Sequence, residues 1–366
     1  MAFTLPAYHA PDFSRPDLVR APDAKTARCP ADGVAPAGFH SSSMYPEYFK
    51  IGGVWRLAEE SRMDASVVLR PDGRLDVVEN RALKEGDEVL LGRADDGSEG
   101  VYMHTEGFLD PDAPAADRFA FRAGRSRETS YARDYDELIE LLRSEREHGK
   151  IVWVMGPAFA FDSDARRAMQ SLAENGYVHG LLAGNALATH DLEAAWLHTA
   201  LGQDIYTQRS QPNGHYNHLD LLNEVRRAGS IERFLDEKEI DNGILYACVR
   251  RGIPFVLAGS IRDDGPLPEV IGDAYEAAAA MRDMLRDATC VVCLATMLHT
   301  IAAGNMLPSF RVTADGTVRP VYFYAVDADE FVVNKLLDRG SLSARTIVTN
   351  VQDFITIVAR GLKTMA

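Results

Sequence analysis

This 366-residue chain lacks the short glycine signatures that usually announce a phosphate-binding loop. No Gly-x-Gly-x-x-Gly follows an apolar run, and no Gly-x-x-x-x-Gly-Lys-[Ser/Thr] occurs. A Gly-x-Ser-x-Gly nucleophile elbow is absent too. Cysteine is scarce, with only Cys29, Cys248, Cys290 and Cys293. The last two lie in "TCVVCLA", which reads as a buried strand. Residues three apart in a strand face opposite ways, so these thiols are not expected to pair or to share a metal. A disulfide scaffold is excluded, and a reducing, cytoplasmic setting is the expectation. Positive charge is in deficit: 39 Lys and Arg against 54 Asp and Glu leave a formal charge of −15. Such a chain repels nucleic acid and anionic membrane surfaces but tolerates a small cationic partner. Nowhere do ~18 apolar residues run uninterrupted, the length a membrane helix needs. The opening "MAFTLPAYHAPDF" has no charged segment leading into an apolar one, so neither a secretion signal nor membrane contact is expected.

What the chain does have is enough apolar residue, 46%, for a sizeable core, and length for roughly two domains. Residues 1–37 hold six prolines and little periodicity, the pattern of an extended arm on the surface. Residues 38–133 read as a small β-rich unit that closes with a polar connector. Within it "ASVVLRPDGRLDVVE" is two alternating runs joined by Pro71-Asp72-Gly73, a hairpin signal. From 134 to the end the texture changes. The helix "DYDELIELLRSEREHG" is followed by the apolar runs "KIVWVMGP", "YVHGLLAGN", "IPFVLAGS", "TCVVCLAT", "VYFYAVD" and "TIVTN". Amphipathic patterns such as "DARRAMQSLAEN", "DAYEAAAAMRDMLRD" and "DEFVVNKLLDRG" separate them. Continuous apolar strands alternating with helices predict an α/β fold: a parallel, doubly wound, Rossmann-like sheet preceded by the small β-rich domain. Ligands of such sheets sit beyond the carboxyl ends of the strands.

Those ends carry small or hydrogen-bonding residues: Gly156-Pro157, Gly184-Asn185-Ala186, Gly259-Ser260, Thr296-Met297, Asp327 and Asn350. Together they point to a nucleotide-type crevice. Four segments stand out there. In "LLAGNALATHD", Thr189, His190 and Asp191 fall near an expected helix start. In "LAGSIRDDGPLP", Ser260 and Ile261 lead into Arg262, Asp263 and Asp264 on a proline-braced loop, preorganised charge of the kind a catalytic or cofactor-gripping loop needs. In "TMLHTIAAGNMLPS", His299 lies in the first turn of a helix that Gly304-Asn305 is expected to end. In "FYAVDADE", Asp327 stands where an acid meets a ribose diol in dinucleotide sites, or caps the next helix. "GHYNHLDLLNEV" adds His215, Asn217 and His218, but no third ligand has metal spacing. No metal is expected, and a polar substrate lining suits these residues better.

In order and spacing, "GPAFAFDSDA", "GYVHGLLAGNALATHDLEAA", "GHYNHLDLLNEV", "GILYACVRRGIPFVLAGSIRDDGPLPEV", "TMLHTIAAGNMLPS" and "VVNKLLDRGS" resemble the region named after lysine-oxoglutarate reductase/saccharopine dehydrogenase. More closely, they resemble its NAD-dependent ornithine cyclodeaminase branch, found as archaeal stand-alone enzymes and as the C-terminal half of cyanobacterial arginine dihydrolase/ornithine cyclodeaminase proteins. The resemblance spans about residues 38–360. It implies a lyase that uses NAD as a recycled redox cofactor, turning L-ornithine into L-proline and ammonia. A homodimer or larger assembly is the expectation.

The resemblance also implies roles. Asp264, Asp263 and His299 become the catalytic candidates. Gly156, Pro157, Gly184, Asn185, Ala186, Asp191, Gly259, Ser260, Ile261, Arg262, Met297, Asn305, Asp327 and Asn350 become the cofactor candidates. His40, Ser42, Tyr45 and Asn217 become the substrate candidates. Two departures stand out: "GFHSSSM" replaces the family's usual "GFYSTTN", and "TIVTNV" replaces "GIVTDV". A dehydrogenase that releases NADH, or a non-catalytic nucleotide-binding regulator, would use the same crevice. Accumulation of NADH during turnover separates the first from a cyclodeaminase, and cofactor binding without consumption of any basic amino acid marks the second.

Overall fold

The computed structural model describes residues 3–109, 132–263, 265–329 and 342–365. Seven strands form one parallel sheet: β1 (Ile151–Met155), β2 (Gly180–Gly184), β3 (Phe255–Ala258), β4 (Val270–Ile271), β5 (Cys290–Leu294), β6 (Tyr322–Asp327) and β7 (Ser343–Val348). Their spatial order is β4-β3-β2-β1-β5-β6-β7. Apart from the short edge strand β4, this is the 3-2-1-4-5-6 order of a doubly wound dinucleotide fold, and the order reverses between β1 and β5. Six of these strands are legible as apolar runs. The two-residue β4 is not, because so short an element leaves no periodicity.

Helices cover both faces. On one lie α1 (Ala132–His148), α2 (Ser163–Glu174), α3 (Asn185–Leu197), α5 (Ile244–Arg251) and α8 (Val351–Gly361), with α4 (Asn217–Ala228) packed outside α3. Trp153, Met155, Leu181, Val292 and Tyr324 point into that layer. On the other face α6 (Ala274–Arg286) and α7 (Met297–Met306) cover Val152, Val154, Leu182 and Phe323. β1 and β5 are buried along their whole length because both sides are roofed. Cys290 faces the first core and Cys293 the second, so the two thiols do stand on opposite faces. Burial pushes both of their pKa values up. They are inert core residues.

α3 is unusual. From Leu187 to Ala195 every residue is buried, including Thr189, His190, Asp191 and Glu193. A helix enclosed on all sides must find partners for each polar group it carries. Its polar side chains therefore show where hydrogen-bonding demand is concentrated.

The N-terminal region forms small antiparallel sheets. One runs Thr26–Arg28, Glu88–Leu90, Ala65–Leu69, Leu75–Glu79, and another Val54–Leu57, Glu47–Ile51, Val101–Met103. The expected hairpin is present, with Gly73 at φ +85° in its turn and its amide donating to Arg70 O. The strand Glu60–Ser61 pairs with Phe310–Val312, which follows α7. Arg282 of α6 contacts Glu79, which Arg62 also holds at 2.6 Å. The β-rich region is thus pinned to the backs of α6 and α7. Among the described residues no helix is long and apolar enough to cross a membrane.

Candidate active site

The carboxyl ends of β1, β2, β3 and β5 finish level, with Gly184 opposite Ala258 and Met155 opposite Leu294. Beyond them opens a crevice of about 750 Å³, within the range of cofactor and small-molecule sites. A second cavity, of about 780 Å³, lies at the amino ends of β6 and β7 beside Tyr322, Tyr324 and Arg345. Topology favours the first, since ligands of open α/β sheets bind at the opposite edge.

The outer end of the crevice is built from backbone. α3 starts directly at the tip of β2, and its cap residue is Gly184, so no side chain covers the first-turn amides. Those amides, with the positive end of the helix dipole, suit an anion. A Cβ on Gly184 would stand 3.1 Å from His299 Cε1, so a larger residue there would crowd the histidine across the crevice. A Cβ on Gly156 would meet Ala295 O at 2.0 Å, because the tips of β1 and β5 touch backbone to backbone. Ala295 itself sits at φ +49°, an uncommon conformation for a residue with a side chain.

The loop after β3 is braced internally. The Ser260 amide donates to Asp263 Oδ2 (2.8 Å), the Arg262 amide to Ser260 Oγ (3.2 Å), and the Leu267 amide to Asn185 Oδ1 (3.1 Å). Gly265, at φ +131°, supplies the turn. Arg262 lines the crevice while remaining exposed, and Ile261 stands wholly in solvent at its rim beside the exposed Leu298. From the first turn of α7, His299 faces inward, and burial lowers its pKa below the ordinary histidine value.

The inner end has another character. Phe161, Leu201 and Leu222 give it apolar walls, and Thr189, His190 and His218 give it polar ones. His190 Nδ1 lies 2.9 Å from Glu193 Oε2. Glu193 is fully buried and also accepts from Thr199 Oγ1 and from the amides of Leu201 and Gly202. Thr189 Oγ1 and His218 Nδ1 are buried without a partner among the described residues.

Of the residues named from sequence, Gly156, Pro157, Gly184, Asn185, Ala186, Gly259, Ser260, Ile261, Arg262, Asp263 and His299 all line the crevice. Asp264 lies outside the described residues, as do the pattern "DEFVVNKLLDRG" beyond its first residue and most of the 111–133 connector. The structure directs the others elsewhere. Because α3 begins at Asn185, Asp191 falls inside the helix rather than at its start; it is fully buried, binding Arg166 Nε at 2.9 Å and accepting from the Leu245 amide. Met297 is exposed and not part of the crevice lining, while Thr296, Leu298 and His299 are. Asn305 is exposed in the last turn of α7, which runs on to Met306. Asp327 ends β6, where its carboxylate accepts from the Asp329 amide. Asn350 caps α8 by accepting from the Gln352 and Asp353 amides. Asn217 Nδ2 donates to Thr199 Oγ1 at 2.7 Å.

The substrate candidates of the β-rich region make hydrogen bonds within it. His40 Nε2 meets Glu47, Ser42 Oγ donates to Arg62 O and Ala65 O, and the Tyr45 amide donates to Ser43 Oγ. Ser309, just past α7, donates to Met44 O. This places the segment about one helix length, ~15 Å, from the crevice end of α7. The inner lining at Phe161, Leu201 and Leu222 has no local sequence signal, because these residues come together on α3 from separate segments of the chain. The signal for His190 was present in the His-x-x-Glu spacing that puts Glu193 one turn away.

A family model described as "Arginine dihydrolase ArgZ-like, C-terminal, Rossmann fold" matches residues 136–358. The chain belongs to this family. It is 38% identical over 342 residues to the ornithine cyclodeaminase of Methanocaldococcus jannaschii, covering 91% of this chain and 76% of that protein. It superposes with a TM-score of 0.83 and 32% identity on a conserved putative LOR/SDH protein of Methanococcus maripaludis S2, covering 93% of this chain and 98% of the other. Its similarity to AgrE, solved as a ternary complex with ornithine and NAD+, covers 94% of this chain and 46% of that one, with a TM-score of 0.58 and 33% identity.

Proposed function

We propose that this chain is an NAD-dependent ornithine cyclodeaminase, converting L-ornithine to L-proline and ammonia without net oxidation. The observation that carries the proposal is a glycine-tipped crevice at the switch point of a dinucleotide-type sheet, in a chain that matches most of a protein named ornithine cyclodeaminase. The related AgrE has been solved with both ornithine and NAD+.

The residues present fit such a cofactor. The uncapped first turn of α3 and the Arg262 guanidinium suit a pyrophosphate. Gly156, Gly184 and Gly259 let backbone approach closely, and Ile261 and Leu298 offer apolar surface to a flat ring. NAD, when bound, stores the substrate's hydride reversibly, so that the reaction begins and ends at the same redox level. The sequence candidates Asp263 and Asp264 would serve as carboxylate partners for the side-chain ammonium group of ornithine. His299, kept neutral by burial, offers a hydrogen bond to the reacting region. Proline formation in arginine and ornithine metabolism, a cytoplasmic location and a homo-oligomer go with this function. So does a division into a 1–37 arm, a 38–133 β-rich unit and a 134–366 cofactor-binding unit.

The test is product analysis of purified protein supplied with NAD+ and a panel of basic amino acids. Proline and ammonia in equal amounts from ornithine, without NADH accumulating, support the assignment. NADH formed in step with substrate consumption makes the protein a dehydrogenase instead. Cofactor binding with no amino acid consumed makes it a regulator.

A further inference from the structure

The inner end of the crevice holds a pair of groups that the proposed function has not used. His190 is nearly buried, yet its ring lines the crevice between Phe161 (centroids 5.6 Å apart) and His218 (6.3 Å). Its Nδ1 is held by Glu193 at 2.9 Å. With Thr199 Oγ1 and two backbone amides already donating to it, Glu193 presents the ring with an acceptor. The proton of a neutral His190 therefore belongs on Nδ1, and the basic lone pair on Nε2. A carboxylate orienting a nearly buried imidazole at the wall of a crevice is the arrangement of a general base.

A second observation is independent of the first. Buried polar atoms are nearly always paired, yet Thr189 Oγ1 and His218 Nδ1 have no partner among the described residues, and both residues line the same crevice. Whatever enters this end of the crevice supplies the missing hydrogen bonds.

From this geometry we propose that His190 is the proton acceptor for the substrate's α-ammonium group, that Glu193 positions it, and that Thr189 and His218 hold the polar part of the substrate. The inference rests on the proposed cyclodeaminase function. An α-ammonium nitrogen has no lone pair to assist loss of hydride from the adjacent carbon. His190 Nε2 takes one N–H proton, the bonding electrons stay on nitrogen, and the imidazolium formed is balanced by Glu193. The δ-ammonium gives one proton to water before its lone pair attacks and a second once the ring C–N bond has formed. The proton held on His190 then returns to the α-nitrogen as its C–N bond breaks, so ammonia leaves and the imidazole is regenerated. No further oxidant, reductant or co-reactant is needed.

The experiment compares the parent protein with His190→Asn and Glu193→Gln, measuring NAD+ affinity by calorimetry and the pH dependence of kcat and kcat/KM for ornithine. His190→Asn is expected to keep NAD+ affinity within about twofold and to lose kcat by ~10²–10⁴-fold. The loss should shrink at alkaline pH, where the substrate amine is already deprotonated. Glu193→Gln is expected to fold and to move the acid limb of the profile to lower pH, because the imidazolium has lost its counter-charge. If Glu193→Gln does not fold, His190→Asn decides alone. A His190→Asn enzyme with kcat within about threefold of the parent, or with the acid limb unchanged, overturns the inference. A parent protein that makes no proline from ornithine overturns the proposed function instead, so the two failures are distinguishable.

Discussion

Two buried histidine–carboxylate pairs occupy this chain, and their chemistry is nearly the same. His40 Nε2 lies 3.2 Å from Glu47 in the β-rich region, and His190 Nδ1 lies 2.9 Å from Glu193 in α3. All four residues are at least nine-tenths buried. What differs is the other side of each ring. His40 packs edge-on against Phe49 inside a closed antiparallel unit. His190 opens onto a 750 Å³ crevice whose wall also carries polar atoms with no partner among the described residues. A buried ion-pair motif becomes a site only where the fold leaves it a free face at the edge where ligands bind. Asp191 makes the same point within one helix. Two residues from Glu193, it is turned toward Arg166 and ties α3 to α2 and α5.

The largest expected effect tests that last contrast. Asp191→Ala strands the nearly buried Arg166 guanidinium, and removing one partner of such a pair costs ~3–5 kcal/mol. Urea denaturation should show this loss. A variant of near-parental stability but without NAD+ binding would instead return Asp191 to the cofactor site. Next comes the clamp between the two regions. Burial alone would raise the Glu79 pKa, but hydrogen bonds from Arg62 and Arg81 and the charge of Arg282 bring it down to about 2. A depressed carboxylate gives stability that is fully present above its unfolded value and is lost as pH falls toward the folded one. Between about pH 4.5 and 2 the parent should therefore lose on the order of 2 kcal/mol that Glu79→Gln no longer has to lose. Denaturant midpoints across that window check it, and parallel curves would remove Glu79 from the clamp.

His40→Ala should cost roughly 1–2 kcal/mol, because it leaves a Glu47 oxygen buried without its partner, while kcat stays within about twofold. A tenfold fall in kcat in a folded variant would erase the contrast between the two pairs and bring the β-rich region into the substrate site. The smallest effect is reserved for Asn350→Ala. Loss of the α8 cap should lower stability by ~1 kcal/mol and leave NAD+ affinity unchanged. A weakened affinity would show that this position reaches the cofactor after all.

The main sheet was legible because strands roofed on both faces must be apolar along their length, as Ile151–Met155 and Cys290–Leu294 are. The glycine-tipped ends were legible for a related reason, since punctuation after such a strand marks the edge where ligands bind. The candidates found in local hydrogen bonds share one feature. Asn350, Asp327, Asn217 and Ser42 are polar residues at plausible places, but a polar side chain answers the nearest backbone or side-chain demand first. That demand is set by helix starts and loop paths whose positions local pattern leaves uncertain. α3 shows the effect directly: it begins at Asn185, so Thr189, His190 and Asp191 fall within a buried helix and not at its start.

Residue order alone therefore determined the α/β class, the parallel sheet, its working edge and the loop that carries Arg262, since each follows from burial period and turn chemistry within a short stretch. Tertiary structure alone decided which polar groups remain uncommitted. Hydrogen bonds are satisfied between distant segments, and only the packed chain shows that Glu47 closes off His40 while Glu193 holds His190 with one nitrogen to spare.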